Sequence, residues 1–145
     1  MIIVFTNGCF DVLHRGHIEY LKASRKLGHR LIVGLNSDAS VRRLKPGRPI
    51  NNQEDRKAML LALRFVDQVE IFDEDTPIEL IKYINPDIIT KGGDYRPEQV
   101  VGFDLVKETV ILPFLNGHSS TRIINATQGN SRQGLGVGAN LGYQR

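Results

Sequence analysis

Short, β-branched apolar runs alternate with amphipathic stretches along most of this chain, and that alternation limits its fold more than any other feature. Ile2–Phe5 (IIVF), Arg30–Asn36 (RLIVGLN), Gln68–Phe72 (QVEIF), Pro86–Gly93 (PDIITKGG) and Val110–Phe114 (VILPF) have the length and composition of strands. His17–Gly28 places apolar residues at 18, 21 and 27 with alanine at 23, and stops on a glycine, as a helix does. Asn51–Val66 has an Asn cap, acidic residues in its first turn and a rich apolar face. Asp75–Asn85 opens on a cap residue and a proline. Pro97–Thr109 reads as a helix interrupted by Gly102, and Ser119–Ala126 as a short last helix with serine as its cap. Strands separated by helices need crossover connections. The predicted fold is therefore α/β: a Rossmann-like, doubly wound, five-stranded parallel sheet with helices on both faces.

In such a sheet, ligands bind beyond the carboxyl ends of the strands, where the winding reverses. Four suggestive segments each follow a strand: Asn7–His17, Ser37–Arg48, Lys91–Tyr95 and Gly117–Arg122. They are expected to converge on one edge of the sheet and form a single site.

With 145 residues, 41% of them apolar and 24% charged, the chain fits one soluble domain. No apolar run approaches the ~20 residues of a membrane span, and the N-terminal apolar run is too short for a signal peptide. One cysteine allows no intrachain disulfide, so a cytoplasmic setting is expected. The formal charge is +3, of which Arg132 and Arg145 supply two. The charge that matters is local: Arg42, Arg43, Lys45 and Arg48 fall within seven residues. Almost no aromatic residue interleaves with them, which disfavours a nucleic-acid-binding module that stacks single strands. From Thr127 the chain carries five glycines and few apolar residues and reads as a flexible tail. The expected division is a domain over 1–126 and a tail over 127–145.

The stretch NGCFDVLHRGHIEYL, Asn7–Leu21, concentrates the chemistry. A strand, a glycine-containing loop and a helix start near Gly16 present backbone N–H groups to an anion. His14 and His17 are three apart and can face the same way on a helix. Gly16 has no side chain to block a phosphate, and an imidazole donates a charge-assisted hydrogen bond to phosphate oxygen, whose charge favours the protonated ring. Other chemistries use the same residues. A metal could take His14 and His17 with Cys9, Asp11 or His118, although the spacing is unlike common zinc patterns. Cys9 could act as a nucleophile with a histidine base, or fill a tight loop as a small apolar residue. The two histidines could simply cap the helix.

GCFDVLHRGH, with SSTRI late in the chain, resembles the cytidylyltransferase-like nucleotidyltransferases, whose signature is a His-x-Gly-His pair followed by a Ser/Thr-rich helix start. The resemblance covers residues 1 to about 126. TNGCFDVLHRGH, GLNSDASVRRLK, RPIN, DTP and KGGDY are similar to the branch of heptose-phosphate adenylyltransferases, of which a stand-alone form is expected here. That resemblance implies attack of a sugar 1-phosphate on the α-phosphorus of ATP, with release of pyrophosphate. It implies roles for His14, His17 and Lys45 in catalysis. It implies nucleotide binding by Cys9, Phe10, Asp11, Gly16, Arg56, Lys91, Gly92, Asp94, Ser119, Ser120, Thr121 and Arg122. Arg42, Arg43 and Arg48 are candidates for the substrate phosphate, and Asp11 is expected to orient a histidine or cap the helix. Mg²⁺ is implied, carried mainly by the nucleotide phosphates, and so is a homodimer; no nucleic-acid or membrane partner is expected. The alternatives are a cytidylyltransferase acting on glycerol 3-phosphate or a related alcohol phosphate, and a non-catalytic nucleotide-binding module. Phe114 stands where glycerol-phosphate enzymes carry arginine, which points away from the former.

Overall fold

The computed structural model describes residues 1–113. The predicted helix over 119–126, the tail and the site candidates Ser119, Ser120, Thr121 and Arg122 lie outside the described residues. Five strands, β1 (Ile3–Gly8), β2 (Arg30–Asn36), β3 (Gln68–Phe72), β4 (Ile88–Gly92) and β5 (Glu108–Leu112), form one all-parallel sheet in the order β3-β2-β1-β4-β5. The chain winds outward from β1 to β3, then returns to lay β4 on the free side of β1. The winding reverses between β1 and β4, and their carboxyl ends mark the crevice in which such sheets bind ligands.

The pleat sorts residues to two faces. Val4 joins Leu21, Leu31, Val33, Leu60 and Val69 in one cluster, against helices α1 (Arg15–Arg25) and α3 (Gln53–Leu61). Phe5, next in β1, joins Ile32, Ile81, Ile89 and Val100 in the other, against α4 (Ile78–Ile84) and the β4–β5 connection. Between β1, β4 and α1 the packing is polar. The hydroxyls of Thr6, Tyr20, Thr90 and Ser24 form a hydrogen-bonded chain, 2.6 Å from Thr6 to Tyr20, 3.1 Å from Tyr20 to Thr90 and 2.9 Å from Ser24 to Thr90. Burial pushes the Tyr20 phenol up from its ordinary pKa, so it stays neutral.

Four departures from the sequence reading have physical causes. Pro97–Thr109 is not a helix but two short 3₁₀ turns, Pro97–Gln99 and Phe103–Leu105. Gly102 between them has φ +93°, and a Cβ there would sit 2.7 Å from Ile81 and 2.9 Å from Ile89, so the backbone turns where it touches the core. A helix absent from the sequence reading, α2 (Asp38–Leu44), follows β2; Ser37 caps it by accepting from Ser40 N–H at 3.1 Å. The helix expected over Asn51–Val66 stops at Leu61, and Leu63 and Val66 reach the same core from successive turns. β5 sits two residues earlier than expected and ends at Leu112; Phe114 lies outside the described residues. Among the described residues no helix is long and apolar enough to cross a membrane.

Candidate active site

The loop from β1 to α1 is the centre of the site. His14 is the N-cap of α1, in extended conformation, and its carbonyl accepts from His17 N–H at 3.0 Å and Ile18 N–H at 3.2 Å. His17 lies in the first turn and is 2% exposed; its Nδ1 accepts from His14 N–H at 3.3 Å. The two rings stack with centroids 3.8 Å apart and 27° between planes, and Phe10 meets His17 edge-on at 5.2 Å. Capping contacts and the ring stack thus belong to the same two side chains. With Nδ1 accepting, the His17 proton is on Nε2, a neutral donor. Burial first, then the charges of His14 and Lys45, hold the His17 pKa well below the ordinary histidine value. The protonated form expected from the sequence is therefore not the resting form of His17. The N–H groups of Arg15 and Gly16 precede any intrahelical acceptor and complete an anion-facing helix start.

Asp11 neither orients a histidine nor caps α1. Its carboxylate accepts from Ile50 N–H at 2.9 Å and Asn51 N–H at 3.0 Å and pairs with Arg48 Nε at 3.2 Å, while its carbonyl accepts from Asn51 Nδ2 at 2.8 Å. It clamps the loop after α2, the loop that Lys45 begins, onto the loop that carries the histidines. Arg56, expected to approach the nucleotide, is buried beneath both loops. It donates from Nη1 to Cys9 O at 2.8 Å and Asn36 O at 2.9 Å, from Nε to Asn51 O at 2.9 Å, and from Nη2 to Asp38 at 2.8 Å. The guanidinium ties the ends of β1 and β2 to the start of α3. Cys9 is buried, and its carbonyl is what Arg56 holds.

The basic run does not form one patch. Arg43 turns to the β3–α4 loop, pairing with Asp75 at 3.0 Å and donating to Asp73 O. Arg48 faces Asp11, Lys45 acts on His17, and Arg42 is exposed beside Asp38, Asn52 and Asp55. Of the four, Lys45 is the one whose charge reaches the histidines through the described contacts.

Among the described residues, two of the pockets flank the strand ends, one on each face of the sheet. The first, about 330 Å³, lies between α1 and the end of β5 and is lined by Gly16, Tyr20, Ala23, Leu112 and Pro113 among others. The second, about 220 Å³, includes Asn7, Asp75, Thr76, Lys91 and Tyr95. The pleat turns Lys91 and Gly92 to opposite faces of β4. Lys91 belongs with Asn7 on the α4 face, its ammonium 5.5 Å from the Tyr95 ring, whereas Gly92 is buried and Asp94 is exposed. Asn7, inside the expected Asn7–His17 segment, and Asp75, outside the four segments expected to form the site, both line this second pocket. Strand parity was the signal for Asn7: it stands two residues from Phe5, on the same face.

The donor set was also tested for Mg²⁺, which prefers oxygen ligands in octahedral array. Asp11 is spent on N–H groups and Arg48, and its neighbours are imidazoles and cations. Among the described residues no group of three or more His, Cys, Asp or Glu side chains could hold a metal ion. Among the described residues the donors at this loop make no carboxylate cage for Mg²⁺.

Comparison with known proteins bears on the same residues. A family model described as cytidylyltransferase-like matches residues 5–126. The chain is 57% identical over 129 residues to the bifunctional protein HldE of Wolinella succinogenes, covering 88% of this chain and 27% of the relative. It is 56% identical over 128 residues to that of Campylobacter fetus, covering 88% of this chain and 28% of the relative. It therefore spans about a quarter of the length of these curated relatives. Among solved structures, a lipopolysaccharide core biosynthesis protein from Thermoplasma volcanium superposes with TM-score 0.69 at 32% identity, covering 80% of this chain and 99% of that one.

Proposed function

The chain belongs to the cytidylyltransferase-like family, and from that membership we propose that it is a nucleotidyltransferase moving AMP from ATP to a sugar 1-phosphate, heptose 1-phosphate in the first place. The observation that carries the reading is the stacked His14–His17 pair at the start of α1, over the reversal point of a parallel sheet. That pair and the helix-start N–H groups make a grip for a phosphate and leave no role for a covalent nucleophile. The sugar phosphate oxygen is already nucleophilic. It forms a bond to the α-phosphorus of ATP while the bond to the bridging oxygen of the β-phosphate breaks, and the electron pair leaves with pyrophosphate. The protein positions the groups and neutralises charge. His17 donates through Nε2–H to an α-phosphate oxygen as charge shifts there, and Lys45 adds a positive charge on the same side. A Mg²⁺ ion carried on the triphosphate would supply charge neutralisation there. Asp11 and Arg56 act by holding the loops that present these groups.

The HldE relatives and the Thermoplasma volcanium structure support the sugar class of the acceptor through their printed names. The test incubates the protein with Mg²⁺, each of the four nucleoside triphosphates, and a panel of sugar and alcohol phosphates, and measures pyrophosphate. Release with ATP and heptose 1-phosphate is expected. Release with CTP and glycerol 3-phosphate would move the chain to the other branch, and no release with any pair would leave a nucleotide-binding module.

A further inference from the structure

The ladders of the sheet do not all run to its carboxyl-terminal edge. β1 pairs with β2 through Gly8↔Leu35, and β4 with β5 through Gly92↔Leu112. β1 and β4 pair over Val4↔Ile88 and Phe5↔Ile89 and no further. The next residue on each strand is a buried threonine, Thr6 on β1 and Thr90 on β4. Val4 and Ile88, two residues earlier on each strand, belong to the cluster against α1, so the pleat turns both threonines to that helix. Where the ladder stops, side-chain hydroxyls take its place. The Tyr20 hydroxyl stands 2.6 Å from that of Thr6 and 3.1 Å from that of Thr90, and Thr6 Oγ1 donates to Thr90 O at 3.4 Å. A residue of α1 thus bridges the two strands at the point where they part.

We propose that Tyr20 is a positioning residue for the transfer reaction: its hydroxyl locks α1 to β1 and β4 where their ladder ends, and so sets where His17 stands over the crevice. The proposal rests on the nucleotidyltransferase reading above and adds to it a residue that acts through His17 and not on the reacting atoms.

The hydrogen bonds have the directionality that this role needs. One arrangement of protons serves all four hydroxyls: Ser24 donates to Thr90, Thr90 to Tyr20, Tyr20 to Thr6, and Thr6 to Thr90 O. Burial keeps the phenol neutral, as a donor must be. Apolar contact of the kind Leu21 makes has no preferred direction. Helices packed that way slide by about 1–2 Å in known transitions, whereas short hydrogen bonds to two strands resist both slide and rotation.

The stripe of α1 that makes these bonds is the stripe that carries the imidazole. Tyr20 is three residues after His17, and Ser24 is four after Tyr20. A movement of α1 that displaces the His17 ring therefore strains the hydroxyl bonds in the next two turns. The His17 tautomer is set by His14 N–H, and the height of the ring over the sheet by α1. A displacement of about 1 Å at a catalytic group can cost about a hundredfold in rate.

The test is Tyr20→Phe, which keeps the ring that lines the α1–β5 pocket and removes the hydroxyl alone. Thr6 retains Thr90 O and Thr90 retains Ser24, so no buried hydroxyl is stranded and the fold survives. With ATP and heptose 1-phosphate, pyrophosphate release is expected to give a kcat about tenfold lower and both KM values within about twofold of the parent. In a His17→Ala background the same substitution should change kcat by less than about twofold, since no imidazole is left to position. The side-chain ¹⁵N resonances of His17, recorded without substrate, should move in Tyr20→Phe and stay in place in Val66→Ala, a variant of the same core cluster outside the hydroxyl chain. A kcat like the parent's, a raised KM for ATP in its place, or the full effect with His17 absent overturns the positioning role. A parent that releases no pyrophosphate with any pair of substrates defeats the transferase reading instead. The His17 resonances then decide separately: moved in Tyr20→Phe they uphold the link between the two residues, and unmoved they overturn it.

Discussion

The two edges of the sheet use aspartate for the same hydrogen bonds and opposite ends. At the amino-terminal edge, Asp87 accepts from Ile3 N–H at 2.9 Å and Asp67 from Leu31 N–H at 2.8 Å, each at the first turn of chain into a strand. His29 Nδ1 accepts from Ile2 N–H at 2.8 Å. These contacts close the edge, and the Ile3 hydrogen bond lowers the Asp87 carboxyl from its ordinary value. At the carboxyl-terminal edge, Asp11 accepts two backbone N–H groups as well, but they belong to a loop about forty residues away that carries cations. One edge spends its polar groups on finishing strands; the other spends them on tying loops together around the imidazoles and helix-start N–H groups proposed to meet a phosphate. Substitutions at the two edges should therefore separate stability from turnover.

The largest separation is expected at His17. His17→Ala should lower kcat by about a hundredfold or more, the usual cost of a lost transition-state donor, while KM for ATP moves little. Turnover within a fewfold of the parent would remove the imidazole from the mechanism. The same residue gives a pH dependence of stability. Its folded pKa lies below the ordinary value of 6.5, so as pH falls from 6.5 the unfolded chain takes up a proton that the native ring refuses. Stability is then fully present above that value and declines as pH falls through the folded pKa. Denaturant midpoints measured from about pH 7.5 to about pH 5 should fall less steeply in His17→Gln than in the parent.

Asp11 should couple the two quantities, because it is a strand-edge aspartate placed at the working edge. Asp11→Ala leaves the nearly buried Arg48 and two loop N–H groups without their acceptor. A loss of about 2–3 kcal/mol in stability is expected, together with a kcat/KM at least tenfold lower as the Lys45 loop loosens. Asp11→Asn retains an acceptor oxygen and should recover part of both. A variant that loses stability but keeps full kcat/KM would show that the loop does not need its clamp.

How far the sequence carries this contrast depends on the range of the contacts. β2 and β3 are read to the residue, since β-branched runs bounded by polar residues identify themselves locally. The histidine pair and its place after β1 are legible for the same reason: strand, glycine and helix start are neighbours in the chain. The roles of Asp11 and Arg56 are not, because most of their contacts involve backbone groups, up to 47 residues away, and a carbonyl or N–H has no sequence signature. α2 escapes because its seven residues form a helix by virtue of the Ser37 cap and the burial of Val41, neither of which periodicity can weigh over so short a span. The false helix over Pro97–Thr109 is the converse error. Its pattern is helical, but Gly102 is there to fit against Ile81 and Ile89.

Asp67 should show the other side of the comparison. Its carboxylate serves Leu31 N–H and, at 3.0 Å, Arg25 Nε, both far from the histidines. Asp67→Ala is expected to cost about 1–2 kcal/mol in denaturant unfolding with kcat and both KM values unchanged under conditions where the variant is folded. A drop in kcat there would mean that the closed edge transmits to the working one.

The smallest effect is expected at Cys9, which stands at the working edge in sequence yet behaves as a core residue. Its side chain is 4% exposed, and the group it offers to its surroundings is the carbonyl that accepts from Arg56. A substitution that keeps the backbone keeps that hydrogen bond. Cys9→Ala removes only a small sulfur from packed surroundings, a change worth about 1 kcal/mol, and kcat should stay within twofold. The measurement discriminates because a nucleophile tolerates no such replacement: a collapse of turnover with unfolding unchanged would restore covalent chemistry to this loop. Retained turnover leaves the phosphate grip to the residues that follow it, His14, Gly16 and His17.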